Sequence, residues 1–194
     1  MHTVFNTVFA TILSMFGGLT SASDAQTELP AIVALAASPA QQATLEEALE
    51  AFEGAGLALP PLVIEFAPEG DTTLCDGNAG LFTHGSEGRA DIVAICSKIP
   101  IILLHELAHA HVHESVDAEG IDAFLDHLGL TEWSDQTAKW SDRANERAAN
   151  VIAYTLTLTA PTRVDKINSL VCDYELLTSS THANVANANC DRTA

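Results

Sequence analysis

The stretch that most constrains this chain is Ile101-Ile-Leu-Leu-His-Glu-Leu-Ala-His-Ala-His-Val-His113. Its apolar residues belong in a core, yet they are interleaved with ionisable side chains that are costly to bury without partners. Pro100 is tolerated in a first helical turn, so the run reads as a buried helix starting there. On a helix, residues four apart lie on one face, one turn above the other. His105 and His109 can therefore reach one ion, with Glu106 one step round beside it. Zinc suits two imidazoles and lowers the pKa of water towards neutrality, and a carboxylate at the position of Glu106 can take the proton. Any fold built on this chain must bring a third polar group to that helix.

The segments before the helix organise into a small sheet. Ile32 to Ala36 reads as a strand. Ser38 then caps a helix, with Pro39 at its first position, Gln41 completing a capping box, and Gly54 and Gly56 at its end. Leu62–Phe66, Ala79–Thr83 and Ala90–Cys96 read as further strands, the last two joined by the turn-rich segment His84–Gly88. After the metal helix, Ile121–Leu128 forms a short helix closed by Gly129. Ser134 or Asp135 can cap a longer one carrying Trp140, Arg143, Glu146, Asn150 and Tyr154. Val164–Leu177 forms the last. Strands followed by helices indicate an α+β fold, with a small mixed or antiparallel sheet packed on the metal helix and a mainly helical C-terminal half.

Residues 1–25 read as a secretory signal, with an apolar stretch from Val4 to Leu19 and small residues up to Ala25. Residues 26–194 then make one domain. The expected location is secreted or periplasmic, without stable membrane association after signal cleavage. Four cysteines behind such a segment suggest two disulfides, and proximity favours Cys75–Cys96 and Cys172–Cys190. Eight Lys and Arg face 26 Asp and Glu, a net charge of −18 that repels nucleic acid and anionic membranes.

His105-Glu-Leu-Ala-His109 followed by Asn145-Glu-Arg-Ala-Ala-Asn150 resembles the zincin metallopeptidases whose third metal ligand is a glutamate. The residues Trp140, Arg143, Glu146, Ala148, Ala149 and Asn150 are similar to a helix of small secreted bacterial proteins of that type. The resemblance covers roughly Asp91 to Tyr154. It implies a zincin-like fold, one zinc ion, Glu106 as general base and hydrolysis of a peptide or protein substrate. It also implies a cleft strand that pairs with the substrate, for which Ala90–Ile95 is the matching segment.

The resemblance makes Glu146 the third ligand, beside His105 and His109. Within the chain, His113 and Asp117 are its rivals. On a continuous helix His113 lies about 12 Å along the axis from His105, and Asp117 can ligate only if the helix ends early. Asn150, one turn beyond Glu146, can accept the free ring N–H of His105. Tyr154 or Tyr174 can stabilise an oxyanion, although a tyrosine at such a position is more often part of the core. His111 points to the far side of the helix. His84, His127 and His182 read as structural or surface residues, Trp133 and Trp140 as packing anchors, and Arg143 as an ion-pair partner of nearby acids. The alternative function is a non-catalytic periplasmic zinc-binding or metal-buffering protein that uses His105, His109, His111 and His113.

Overall fold

The computed structural model describes residues 32–86, 89–158 and 164–179. The expected signal segment, His182 and Cys190 lie outside them, and so therefore does the Cys172–Cys190 pairing. Among the described residues, one four-stranded mixed sheet is combined with five α-helices. This arrangement is compatible with the α+β expectation.

The first strand, β1 (Ile32–Leu35), leads through α1 (Pro39–Gly54) to β2 (Leu62–Phe66), which lies parallel to it. The start of α1 is set by the capping box. Ser38 Oγ accepts from the Gln41 amide at 3.3 Å, and Gln41 Oε1 accepts from the Ser38 amide at 2.8 Å. Next come β3 (Gly80–Thr83) and β4 (Asp91–Ile95), antiparallel to each other, and β4 also runs parallel to β2. The sheet order is β1-β2-β4-β3. The segment matched to a substrate-pairing strand, Ala90–Ile95, is thus interior. Both its edges are occupied, by β2 and β3. The edge strands are β1 and β3, and β3 is the one that packs against the helix carrying the histidines.

Two long helices carry the polar motif residues. The first is α2 (Pro100–Ser115), with Pro100 in its first turn and Leu103, Leu104, Leu107, Ala108, Ala110 and Val112 buried. The helix stops at Ser115 because Val116 turns extended and Asp117 caps α3 (Ala118–Leu128) through the Gly120 amide. Asp117 thus lies beyond the end of α2, engaged as the cap of α3. Gly129, at φ +65°, closes α3.

The second is α4 (Ala144–Leu156), which packs along α2. It does not begin at Ser134 or Asp135. Asp135 instead accepts from the Thr137 amide at 2.8 Å and its hydroxyl at 2.6 Å, closing a turn rather than a helix. Residues Trp140–Asp142 make a short 3₁₀ turn, and Arg143 is extended before the helix starts. Trp140 consequently does not share a helical face with Glu146. The last helix, α5 (Val164–Thr178), buries Val171, Tyr174 and Leu177 and packs on α3 and α4. His127 on α3 bonds Asp173 on α5 at 2.7 Å, a structural role.

One core joins the layers. It includes Phe52 from α1, Ile64 and Val93 from the sheet, Leu103 and Leu107 from α2, and Ala149 and Ile152 from α4. A Cys75–Cys96 disulfide fastens the loop before β3 to the end of β4, and the Cys96 amide donates to Ala79 O at 2.9 Å beside it. The bridge closes a loop across 21 residues of sequence separation. Loop-closure entropy for that length corresponds to about 3 kcal/mol. We expect Cys75→Ser/Cys96→Ser to lose about that much stability in urea denaturation, with unchanged far-ultraviolet circular dichroism at zero urea.

Candidate metal centre

Tight packing of α4 on α2 creates the site. Ala144, Ala148, Ala149 and Ala153 are fully buried on α4, and Ala108 and Ala110 on α2. Such small side chains let two helix backbones approach closely, so that longer polar residues can meet across the seam. His105 Nε2 lies 3.1 Å from Glu146 Oε2, and His109 Nε2 lies 3.3 Å from the same oxygen. The two Nε2 atoms are 3.1 Å apart. His105, Glu106 and Glu146 are buried, and His109 is half-buried.

The ring orientations define what these atoms offer. Asn150 Oδ1 stands 3.1 Å from His105 Nδ1 and accepts its N–H. That bond leaves the lone pair of His105 on Nε2, directed at His109 Nε2 and the carboxylate. Asn145 Nδ2 donates to Glu146 Oε1 at 3.1 Å, occupying one carboxylate oxygen and leaving Oε2 towards the rings. Electron-rich atoms this close repel one another unless a proton or a cation lies between them. Four ligands around a tetrahedral zinc, at bonds of about 2.0–2.1 Å, stand roughly 3.3 Å apart. The observed spacings of 3.1, 3.1 and 3.3 Å suit that arrangement. Among the described residues this is the one group of three or more His, Cys, Asp or Glu whose ligand atoms lie within 4.8 Å of one another. It can hold a metal ion.

Electrostatics follow the same geometry. Burial raises the Glu146 carboxyl, but the hydrogen bonds and charges of His105 and His109 outweigh that and bring its pKa to about 2. Glu106 goes the other way. Its burial pushes the carboxyl up from 4.5 and the Glu146 charge adds to the rise, against the opposing pull of His109, His105 and a backbone bond from Phe82. Two carboxyls on facing helices are thus driven apart in proton affinity, Glu146 downward by its two histidine neighbours and Glu106 upward by burial.

The remaining sequence candidates fall in several places. Asp117 is engaged as the α3 cap. His113, exposed at the end of α2, lies beside His84 with ring centroids 4.0 Å apart and planes tilted by 55°. His111 is buried and bonds Ala58 O at 2.7 Å through Nδ1, while burial lowers its pKa. Tyr174 is fully buried in α5 and has no access to the site. Tyr154 is 53% exposed and lines the same cleft as His105 and Glu106. Trp133 packs on Phe124 in the core region. Trp140, expected as a packing anchor, is instead 52% exposed, with its ring 5.6 Å from that of His105. The 3₁₀ turn that replaces a helix start puts it at the cleft mouth. Arg143 reaches back to Gln136 O.

Sequence reasoning assigned no role to Asn145 or Gly80. Asn145 stands next to Glu146 in the first turn of α4, where a short amide can reach its neighbour's carboxylate. Gly80 opens β3 beneath Glu106, and a Cβ there would come within 2.6 Å of Glu106 Oε1 and 2.8 Å of Ile102 Cγ2. A glycine inside a strand signals close approach of another group, and that was the available clue. No family model matches the chain, and neither does any curated protein or solved structure compared with it.

Two substitution sets probe the centre. Glu146→Gln is expected to weaken the tightest-bound zinc at least tenfold, as read by competition with a chromophoric chelator, while Asp117→Asn leaves it unchanged. Asn150→Ala removes the acceptor that orients His105 and should cost roughly 10- to 100-fold in zinc affinity. Equal affinities across all three variants would refute this assignment of ligands.

Proposed function

We propose that the chain is a zinc-dependent peptidase of the zincin type that acts outside the cytoplasm. The observation that carries the reading is the convergence of His105 Nε2, His109 Nε2 and Glu146 Oε2 beside a buried carboxyl, Glu106, whose pKa is raised. The site opens on a cleft of about 490 Å³ bounded by β3 on one side and α4 on the other. When bound there, a zinc ion supplies a Lewis acid that polarises a carbonyl and draws the pKa of water towards neutrality.

The chain's own residues supply the other steps. His105, His109 and Glu146 hold the ion, and Asn150 and Asn145 hold two of those ligands in orientation. Glu106 takes a proton from water as its oxygen bonds the carbonyl carbon, and returns that proton to the amine nitrogen as the C–N bond breaks. Tyr154, on the α4 face that also carries Glu146 and Asn150, donates its O–H to the oxyanion. The outer edge of β3 offers backbone N–H and C=O groups to an extended peptide. Trp140 covers His105 at the mouth, favouring an apolar substrate side chain beside the scissile bond. The Cys75–Cys96 disulfide is consistent with an oxidising compartment.

The deciding experiment is digestion of a broad peptide library by the zinc-loaded protein with a chelator control. Cleavage should require metal, and Glu106→Gln should retain zinc while losing turnover by three orders of magnitude or more. Metal-independent cleavage, or an unimpaired Glu106→Gln, would sink the reading. A zinc-binding chain that cleaves nothing would favour the metal-buffering alternative. Gly80→Ala gives a subtler check. Its Cβ displaces Glu106 without touching the metal ligands, so turnover should fall while zinc affinity stays within a factor of a few.

A further inference from the structure

A second histidine pair lies beside the first centre. His84, in the turn after β3, and His113, in the last turn of α2, lie with ring centroids 4.0 Å apart and ring planes tilted by 55°. They come from segments 29 positions apart in sequence, and both are exposed. Asp91, at the start of β4, is held under them with its side chain only 8% exposed. It accepts from His84 Nδ1 at 2.8 Å and from the Gly85 amide at 2.8 Å. The turn around Gly85 is tight, because a Cβ there would fall 2.3 Å from Arg89 O. His84 is thus fixed at its base, and its tautomer is set. With Nδ1–H on the carboxylate, the lone pair stands on Nε2. A buried carboxylate behind a histidine is the arrangement that orients imidazole ligands in metal sites.

We infer that His84 and His113, with Asp91 oriented behind His84, form a second, weaker site for a borderline divalent cation such as zinc or cupric ion. Two imidazole nitrogens select such ions over calcium or magnesium, which require oxygen ligands. Water fills the remaining positions, so affinity is lower than at the three-ligand centre. The net charge of −18 concentrates cations around the chain. Phe82 lies beside both sites, its ring 6.3 Å from His109 and 6.0 Å from His113. Phe82 belongs to β3, the wall of the cleft. An ion on His84 and His113 clamps the β3–β4 turn to the end of α2 and steadies that wall. This inference does not depend on peptidase activity.

The test uses the full chain, stripped with chelator and titrated with zinc chloride by calorimetry. Two classes of ion are expected, one tight and one looser. His84→Ala and His113→Ala should each weaken the looser ion at least tenfold and leave the tight one unchanged. Asp91→Asn should weaken the looser ion by about tenfold. Cupric ion added to the zinc-loaded chain should show nitrogen hyperfine splitting by electron paramagnetic resonance, lost in His84→Ala. A single ion in the native chain, or a looser ion that persists in both His84→Ala and His113→Ala, overturns the inference. Loss of only the tight ion in Glu146→Gln bears on the first centre and leaves the second site standing.

Discussion

The structure depends on one constraint: α2 carries buried His105, Glu106 and His111, and each must find a partner inside the protein. An unpaired ionisable group in a core costs several kcal/mol, which is comparable to the net stability of a domain. His111 is satisfied by Ala58 O, from the loop that follows α1. His105 donates to Asn150 through Nδ1 and turns Nε2 to the Glu146 carboxylate, both on α4. Glu106 lies against β3, where a Cβ on Gly80 would come within 2.6 Å of its Oε1. One helix thus draws three separate segments around itself. Its polar residues settle which neighbours it accepts, while its leucines supply the apolar area.

The seam with α4 shows how packing and chemistry are linked. Alanines on both helices bring the backbones close, and the ligand atoms converge only at that separation. Larger residues at Ala148 or Ala149, both fully buried, would push Glu146 away from the imidazoles. The opposed shifts of Glu106 and Glu146 have the same origin. Glu146 meets two histidine rings directly, whereas Glu106 stands one helical step away, buried but with weaker compensation. Contact with the imidazoles therefore lowers the carboxyl on α4, while burial raises the one on α2.

On the other flank, Gly80 lets β3 run close under Glu106, and the Cys75–Cys96 bridge anchors the loop that feeds β3. The β3–β4 turn then carries His84 to the end of α2. A strand at the border of the sheet is in this way fastened at both ends. Its backbone edge can face the cleft without the fraying expected of a short terminal strand.

Local chemistry was legible in the sequence. Ser38-Pro39-Ala40-Gln41 determined the start of α1 through a capping box closed within four residues. The four-residue spacing of His105 and His109 determined that they share a face, because helical geometry is local. The short separation of Cys75 and Cys96 pointed to their pairing. Elsewhere, one residue type served two local solutions. Asp135 can cap a helix or close a turn, and the turn won, moving Trp140 from a packed helix face to the cleft mouth. Strand order was beyond local reading. A strand's own residues encode alternation, but its neighbours are chosen by which surfaces bury together, so β4 became interior and β3 became the edge. Tertiary structure alone brought His84 and His113 together, since their contact joins segments whose sequences carry no mutual signal.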